Sequence, residues 1–342
     1  MTDRNRCFST QWRICVAVAL VVLVPGIGFG PLWADDQPDV PGYVGPGVPE
    51  GYMVIEGDII VPLNYYKIQT TFATNLWSGG VIPYEFDGNV DGTNRTRMLN
   101  AMVEWEAVAN VDFRPRDGHD NYIYVQADSV NTSSVGMQGG KQTVKIVSWG
   151  SHFTIVHELG HALGYWHEQS RADRDSYVTI NWGRICQDCC SGDPCDHNFE
   201  IRPAGSAEYG PYDFDSVMHY GQCDFSVCGG CAGDPDSCRT ITVRPAYAQW
   251  QDQIGQRGHL SHFDQLTMSF LYPQSSWRFV QGSHAGLEVG TFLYPYRQFT
   301  TGAALIPAHG TLWVQPGYYS AVGTYNRAMT IKAPLGNVTL GG

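Results

Sequence analysis

The run His157-Glu158-Leu159-Gly160-His161, followed by Gly164 and His167, has the residue types and spacing that suit a metal ion. On a helix, residues four apart share a face, so His157 and His161 can present two imidazoles to one cation with Glu158 beside it. Catalytic zinc takes three protein ligands and keeps a fourth position open, and the third ligand has to arrive from another direction. Gly164 supplies the break that turns the chain, and His167 then completes the set. Zinc lowers the pKa of a bound water from about 15.7 to about 7 and polarises a neighbouring carbonyl. Glu158 can take that water's proton as general base and pass it to a leaving amine. The chemistry expected is peptide-bond hydrolysis without a covalent intermediate. A serine or cysteine mechanism needs an activated nucleophile beside a base, yet no G-x-S-x-G string is present and the cysteines read as structural. The other eight histidines, His219, His259 and His262 among them, read as packing or surface residues.

Several elements must position these side chains. Apolar periodicity predicts the metal-binding helix over Phe153–Trp166, and another over Thr93–Ala109 through Met98, Met102, Trp105 and Val108, capped by Asp91 or Thr93. A third begins after Ser261 and runs to Leu271. Strands are expected at VIPYEF within Trp77–Phe86, at Tyr122–Val125 and at Thr143–Trp149. Residues 183–258 are dense in Gly, Pro, Asp and Cys and read as loops. Residues 35–64 are rich in Pro and Gly and should form an extended segment laid on another surface. After Tyr272-Pro273 the texture changes to short strand signals punctuated by Gly, which predicts a small β appendage over 274–342. Its GTLWVQPGYY run hints at the opening turn of a parallel β-helix, but the length is far too short for several coils and a structural cap is the preferred reading.

Hydrophobic residues at 43%, charged residues at 16% and ten Trp describe a chain that can bury a sizeable core. A net charge of -12 and no run of Lys or Arg make nucleic acid or an anionic membrane surface poor partners. Arg4, Arg6 and Arg13 precede an uncharged apolar stretch from Ile14 to Gly30, and Ala34 stands before two acids, the layout of a secretory signal peptide over 1–34. The alternative is an uncleaved membrane anchor, against which Pro25, Gly26, Gly28, Gly30 and Pro31 argue. The expected location is secreted, or extracellular. Eight cysteines between Cys186 and Cys238 then imply disulfides whose pairing is not readable, with a zinc knuckle as the alternative for the two C-x-x-C pairs.

The segment from His157 onward resembles the astacin family of metzincin zinc metalloproteases. The resemblance continues through Arg171, Asp173, Arg174, Asp175, Tyr177 and Val178. It reappears in Tyr212-Asp213-Phe214-Asp215-Ser216-Val217-Met218-His219-Tyr220, similar to the family's Met-turn. Leu76–Tyr84 is similar to its opening strand, Gly139–Val144 to the approach to its edge strand, and Ile254–Arg257 with Leu260–Asp264 to its closing region. The resemblance implies an α+β fold: a two-lobed protease domain over 68–273 with a twisted mixed β-sheet, an active-site helix and an irregular C-terminal lobe. It also implies that Met218 is a floor under the metal and that Tyr220 is a further zinc ligand without substrate. A phenol there can also donate to the oxyanion formed during attack. An edge strand would let an extended peptide substrate add by main-chain hydrogen bonds.

The family's latency device is a short propeptide whose F-x-G-D aspartate ligates the zinc. Ile55-Glu56-Gly57-Asp58 departs from that pattern only in Ile for Phe, so the resemblance implies a propeptide over 35–67 with Asp58 as the switch. It further implies an activating protease cleaving near Lys67-Ile68, and Glu168 binding the new N-terminus. Cysteines for the family's usual two disulfides are missing near Asn110, Thr132 and Trp149 and after Tyr272, and the Cys-rich insertion over 183–240 stands instead. Its GDPCD and GDPDS runs could hold calcium, although they match no EF-hand spacing. The expectation is a secreted zinc endopeptidase made as a zymogen, with one catalytic Zn2+ and protein or peptide substrates. The alternative is a non-catalytic extracellular adhesion or carbohydrate-binding protein acting through 274–342.

Overall fold

A computed structural model of the chain describes residues 48, 51–62, 76–190, 194–201, 210–231, 235–334 and 336–341. The expected signal peptide and the cleavage point at Lys67 and Ile68 lie outside the described residues.

Most of the first lobe is a seven-stranded sheet. Its strands are β1 (Tyr52–Ile55), β2 (Ile59–Pro62), β3 (Val81–Phe86), β4 (Asp112–Pro115), β5 (Tyr122–Ala127), β6 (Thr132–Ser134) and β7 (Lys141–Ile146), in the spatial order β1-β2-β6-β7-β5-β3-β4. β4, β3, β5 and β7 run parallel, and β6 is antiparallel to β7. The strand expected near Gly139–Val144 is therefore internal. The edge of this parallel group is β6, whose Thr-Ser-Ser sequence carries no alternation, and partners far along the chain decide its pairing. The segment at 51–62 is a hairpin: β1 and β2 are antiparallel, with Glu56 and Gly57 at the turn, and β2 extends the sheet by pairing in parallel with β6.

Two helices cover the sheet. In α1 (Gly92–Glu106), the Asp91 carboxylate caps by accepting from the Asn94 N–H at 2.8 Å, and Met98, Ala101, Met102 and Trp105 form the buried face. That stripe packs with Ile155, Val156, Leu159, Ala162 and Leu163 of α2 (His152–Leu163) in one hydrophobic cluster. A helix lacks donor partners for the carbonyls of its last turn, and distant residues supply them here. The Trp77 indole donates to Ala162 O at 2.8 Å, and the Tyr272 hydroxyl to Leu163 O at 2.8 Å. α2 is thereby held at both its face and its end.

The second lobe has little regular structure. β8 (Val178–Ile180) pairs antiparallel with β9 (Ile241–Val243), the short α3 spans Pro235–Cys238, and a separate cluster gathers Phe199, Tyr212, Phe214, Tyr220 and Ile254 around them. The eight cysteines pair as Cys186–Cys189, Cys190–Cys195, Cys223–Cys231 and Cys228–Cys238. Both C-x-x-C pairs are thus consumed by disulfides. The two stapled loops meet through backbone hydrogen bonds, Cys186 N–H to Phe225 O at 2.8 Å and Val227 N–H to Arg184 O at 2.9 Å. α4 (His262–Leu271) begins with a full capping box between Ser261 and Asp264.

Residues 277–341 form stacked parallel strands. β10 (Trp277–Val280), β11 (Gly310–Val314) and β13 (Met329–Lys332) make one sheet, and β12 (Gly317–Ser320) with β14 (Val338–Gly341) another. The expectation of strands alone misses α5 (Phe299–Leu305). Its Thr-Thr-Gly content is poor helix material, and the burial of Phe299, Gly302 and Ala303 sustains it instead. Phe279, Phe292 and Trp313 pack on Phe270 of α4, within the same cluster as the first lobe.

Candidate metal centre

α2 ends at Gly164, whose φ of 124° lets the chain reverse so that its N–H and that of Tyr165 both reach back to Gly160 O. The reversal carries His167 round to face the helix. His157, His161 and His167 are all buried. Their Nε2 atoms converge: His157 lies 3.1 Å from His161 and 3.3 Å from His167. The carboxylate of Asp58 closes the fourth side, with Oδ2 at 3.3 Å from His157 and Oδ1 at 3.3 Å from His167 and 3.7 Å from His161. One ligand atom from each of the four lies within 4.8 Å of all the others.

The opposite ring nitrogens decide what this cluster is for. Nδ1 of His157 faces Val217 O at 2.8 Å, Nδ1 of His161 faces Tyr165 O at 2.7 Å, and Nδ1 of His167 faces Glu56 Oε2 at 2.7 Å. All three partners are oxygen acceptors, so each Nδ1 carries the proton and each Nε2 presents its lone pair to the centre, the tautomer a metal-bound histidine adopts. Burial lowers the pKa of His157 to about 4 and that of His161 well below the ordinary value, so both rings are neutral near pH 7. Three lone pairs at such distances repel unless a cation sits among them. Three imidazole nitrogens and one carboxylate are a donor set that fits zinc.

Met218 is buried against Gly160 of the same helix as His157 and His161, where a Cβ would stand 2.9 Å from Met218 Sδ and 3.2 Å from Trp105 Cζ2. The turn carrying Met218 is pinned by Asp264, which accepts from Val217 N–H and from the Ser216 hydroxyl. Glu158 is buried, and its Oε2 has no hydrogen-bond partner among the described residues. Its pKa is pushed well up, by burial first and then by the charge of Asp58, with Arg257 pulling the other way.

The Tyr220 ring lies 4.5 Å from His167 between centroids, and its hydroxyl donates to Glu56 O. Glu168 accepts from Asp213 N–H at 2.8 Å and pairs with Arg171 at 3.3 Å, and burial pushes its pKa up to about 8. The structure thus gathers His157, His161, His167 and Asp58 at one point, sets Glu158 on the same helix, and brings Tyr220 against His167. His219 is a packing residue, bonded to the Tyr212 hydroxyl and to Tyr220 O, and His259 is an exposed partner of Asp215. Sequence reasoning misses two contributors. Arg257 lies in a segment that reads only as closing structure, and Glu56, two residues before Asp58, carries no signal of its own.

A family model described as Astacin, a peptidase family, matches residues 69–273. Meprin A subunit beta of Rattus norvegicus is 37% identical over 230 residues, 66% of this chain and 30% of that protein. High choriolytic enzyme 1 of Oryzias latipes is 32% identical over 227 residues, covering 64% of this chain and 78% of that one. The solved structure of this last protein, a hatching enzyme zinc-protease, superposes with a TM-score of 0.50 at 31% identity, over 58% of this chain and 95% of that one. The chain spans 30% of the rat meprin subunit's length and 53% of that of the astacin-like metalloendopeptidase of Mus musculus.

Proposed function

The chain belongs to the astacin family of peptidases, and from that premise we propose that it is a secreted zinc endopeptidase made as a zymogen and silenced by its own residues 51–62. The observation that carries this reading is the set of three Nδ1 atoms held against oxygen acceptors, with three Nε2 atoms and the Asp58 carboxylate gathered around one point. His157, His161 and His167 would hold the zinc, with Asp58 as the fourth ligand in the latent form. Zinc bound there supplies Lewis-acid chemistry, acidifying water and polarising a peptide carbonyl.

Glu158 is the general base. Its carboxyl sits one residue past the first ligand, and its pKa is raised mainly by burial and in part by Asp58. Departure of Asp58 removes one of those causes and leaves Arg257 in place, which moves Glu158 toward a base that works near neutral pH. The Tyr220 hydroxyl already donates to a peptide carbonyl, that of Glu56. In the mature protein a substrate carbonyl would take that place, and the same donor would stabilise the oxyanion. Peptide substrates would add to β6, the edge that β2 now covers through Ile59 and Ile60.

Secretion is supported by the four disulfides, which persist in oxidising compartments. Among the described residues no helix is long and apolar enough to cross a membrane. Activation would follow cleavage near Lys67 by a trypsin-like protease, after which Glu168 would receive the new N-terminus. The test is Glu158→Ala in the matured protein. Zinc content by elemental analysis should stay at wild-type level while cleavage of a quenched peptide library is lost. An undiminished rate would refute the general-base assignment.

A further inference from the structure

The third imidazole differs from the other two in the origin of its outer partner. His157 and His161 donate to backbone carbonyls at Val217 and Tyr165, within the segment matched by the family. His167 donates instead to the carboxylate of Glu56 at 2.7 Å, a residue of the silencing hairpin. Glu56 is fully buried and holds a φ of 50°, a left-handed backbone conformation that a residue with a Cβ rarely adopts. Such strain persists where the surroundings over-determine it. Here the Glu56 carbonyl accepts from the Tyr220 hydroxyl. The next residue, Gly57, lies so close under Phe225 that a Cβ would stand 2.4 Å from its ring. Phe225 is fixed in turn, because its carbonyl accepts from Cys186 N–H at 2.8 Å. The turn is wedged between His167, Tyr220 and the stapled loops, with the Glu56 side chain directed at the ring.

We infer that Glu56 is a positioning residue of the latent metal centre: its carboxylate fixes the tautomer and orientation of His167, so the hairpin grips the zinc twice, through Asp58 directly and through Glu56 by way of His167. The inference rests on the zymogen reading above. An outer carboxylate on a histidine ligand orients the ring and strengthens its Nε2 as a donor, and losing one typically costs about 10- to 100-fold in metal affinity. The latent form should therefore hold zinc more tightly than the mature form, which lacks both residues.

The experiment compares full-length wild-type, Glu56→Ala, Glu56→Gln and Asp58→Ala proteins in zinc competition against a chromogenic chelator. Each is then matured with trypsin, which removes position 56. Glu56→Ala should weaken zinc binding by roughly 10- to 100-fold, and Glu56→Gln, which keeps an oxygen acceptor, should fall between it and wild type. After maturation both should match wild type in zinc affinity and cleavage rate, which certifies their fold. Equal zinc affinity in the three position-56 proteins would overturn the inference. So would equal losses in the Ala and Gln variants, which would assign Glu56 a merely structural role. Asp58→Ala reads the switch separately: persistent latency in that variant would sink the zymogen reading, whatever the zinc competition gives.

Discussion

Gly255 offers a test of how tightly Tyr220 is placed. Its φ is 81°, and a Cβ there would stand 2.3 Å from Gly221 Cα, 2.4 Å from Gly221 N and 2.9 Å from the carbonyl carbon of Tyr220. All three are backbone atoms, so no side chain can rotate away, and Gly255→Ala must push the Tyr220–Gly221 peptide. Left-handed backbone costs a non-glycine residue about 1–2 kcal/mol, and overpacking adds about 1–3 kcal/mol. The expected loss is therefore about 2–5 kcal/mol. Gly79 is the control: its φ is 66° and nothing lies within 4 Å of its Cβ position, so Gly79→Ala should lose only the backbone part, about 1–2 kcal/mol. At about 2–4 °C per kcal/mol for a unit of this size, the melting points should fall on the order of 10 °C and 4 °C respectively. A catalytic group displaced by about 1 Å can lose about 100-fold in rate, so kcat of matured Gly255→Ala should drop roughly 10- to 100-fold while Gly79→Ala keeps wild-type turnover. Calorimetry and peptide-cleavage kinetics read both. Equal melting points and equal kcat in the two variants would refute the claim that contact at Gly221 sets the Tyr220 position.

Two further outcomes are expected. Burial pushes the pKa of Asp213 up to about 6 from the usual 3.8, so the folded state holds this proton more tightly than the unfolded chain does. That contribution is complete below about pH 3.8 and is lost as pH rises through about 6. Asp213→Asn should then match wild type near about pH 4 and exceed it by roughly 3 kcal/mol at about pH 7.5 in denaturant unfolding, and a gap that does not widen with pH would contradict the account. Replacing Cys228 and Cys238 by Ser should cost about 2–3 kcal/mol from loop entropy and should loosen the wall at Phe225. Zinc release from the unprocessed protein should then quicken, and unchanged release would detach the loops from the hairpin.

The metal-binding string is readable because it is local: His157 and His161 share one helix face, and Gly164 turns the chain just before His167. The same holds for α4, whose capping box is written in four consecutive residues. What escapes the sequence depends on partners far along the chain. β6 is three polar residues that become a strand only because β7 and β2 flank them. α5 has weak helix formers held by burial against β10 and β11. The two disulfides at each stapled loop satisfy no rule of spacing. Glu56 meets His167 across 111 residues, and no periodicity announces such a contact.

The aromatic seam joining Phe270 to Phe279, Phe292 and Trp313 bears on anyone who would shorten the protein. The family match stops at residue 273, an inviting place to cut. A chain ended there would leave Phe270 facing water where three aromatic rings now shield it, on the very helix whose Asp264 secures the methionine turn. The resulting sticky patch would favour clumping over clean folding, so the trailing strands are better regarded as a lid on the histidine-bearing lobe than as luggage behind it.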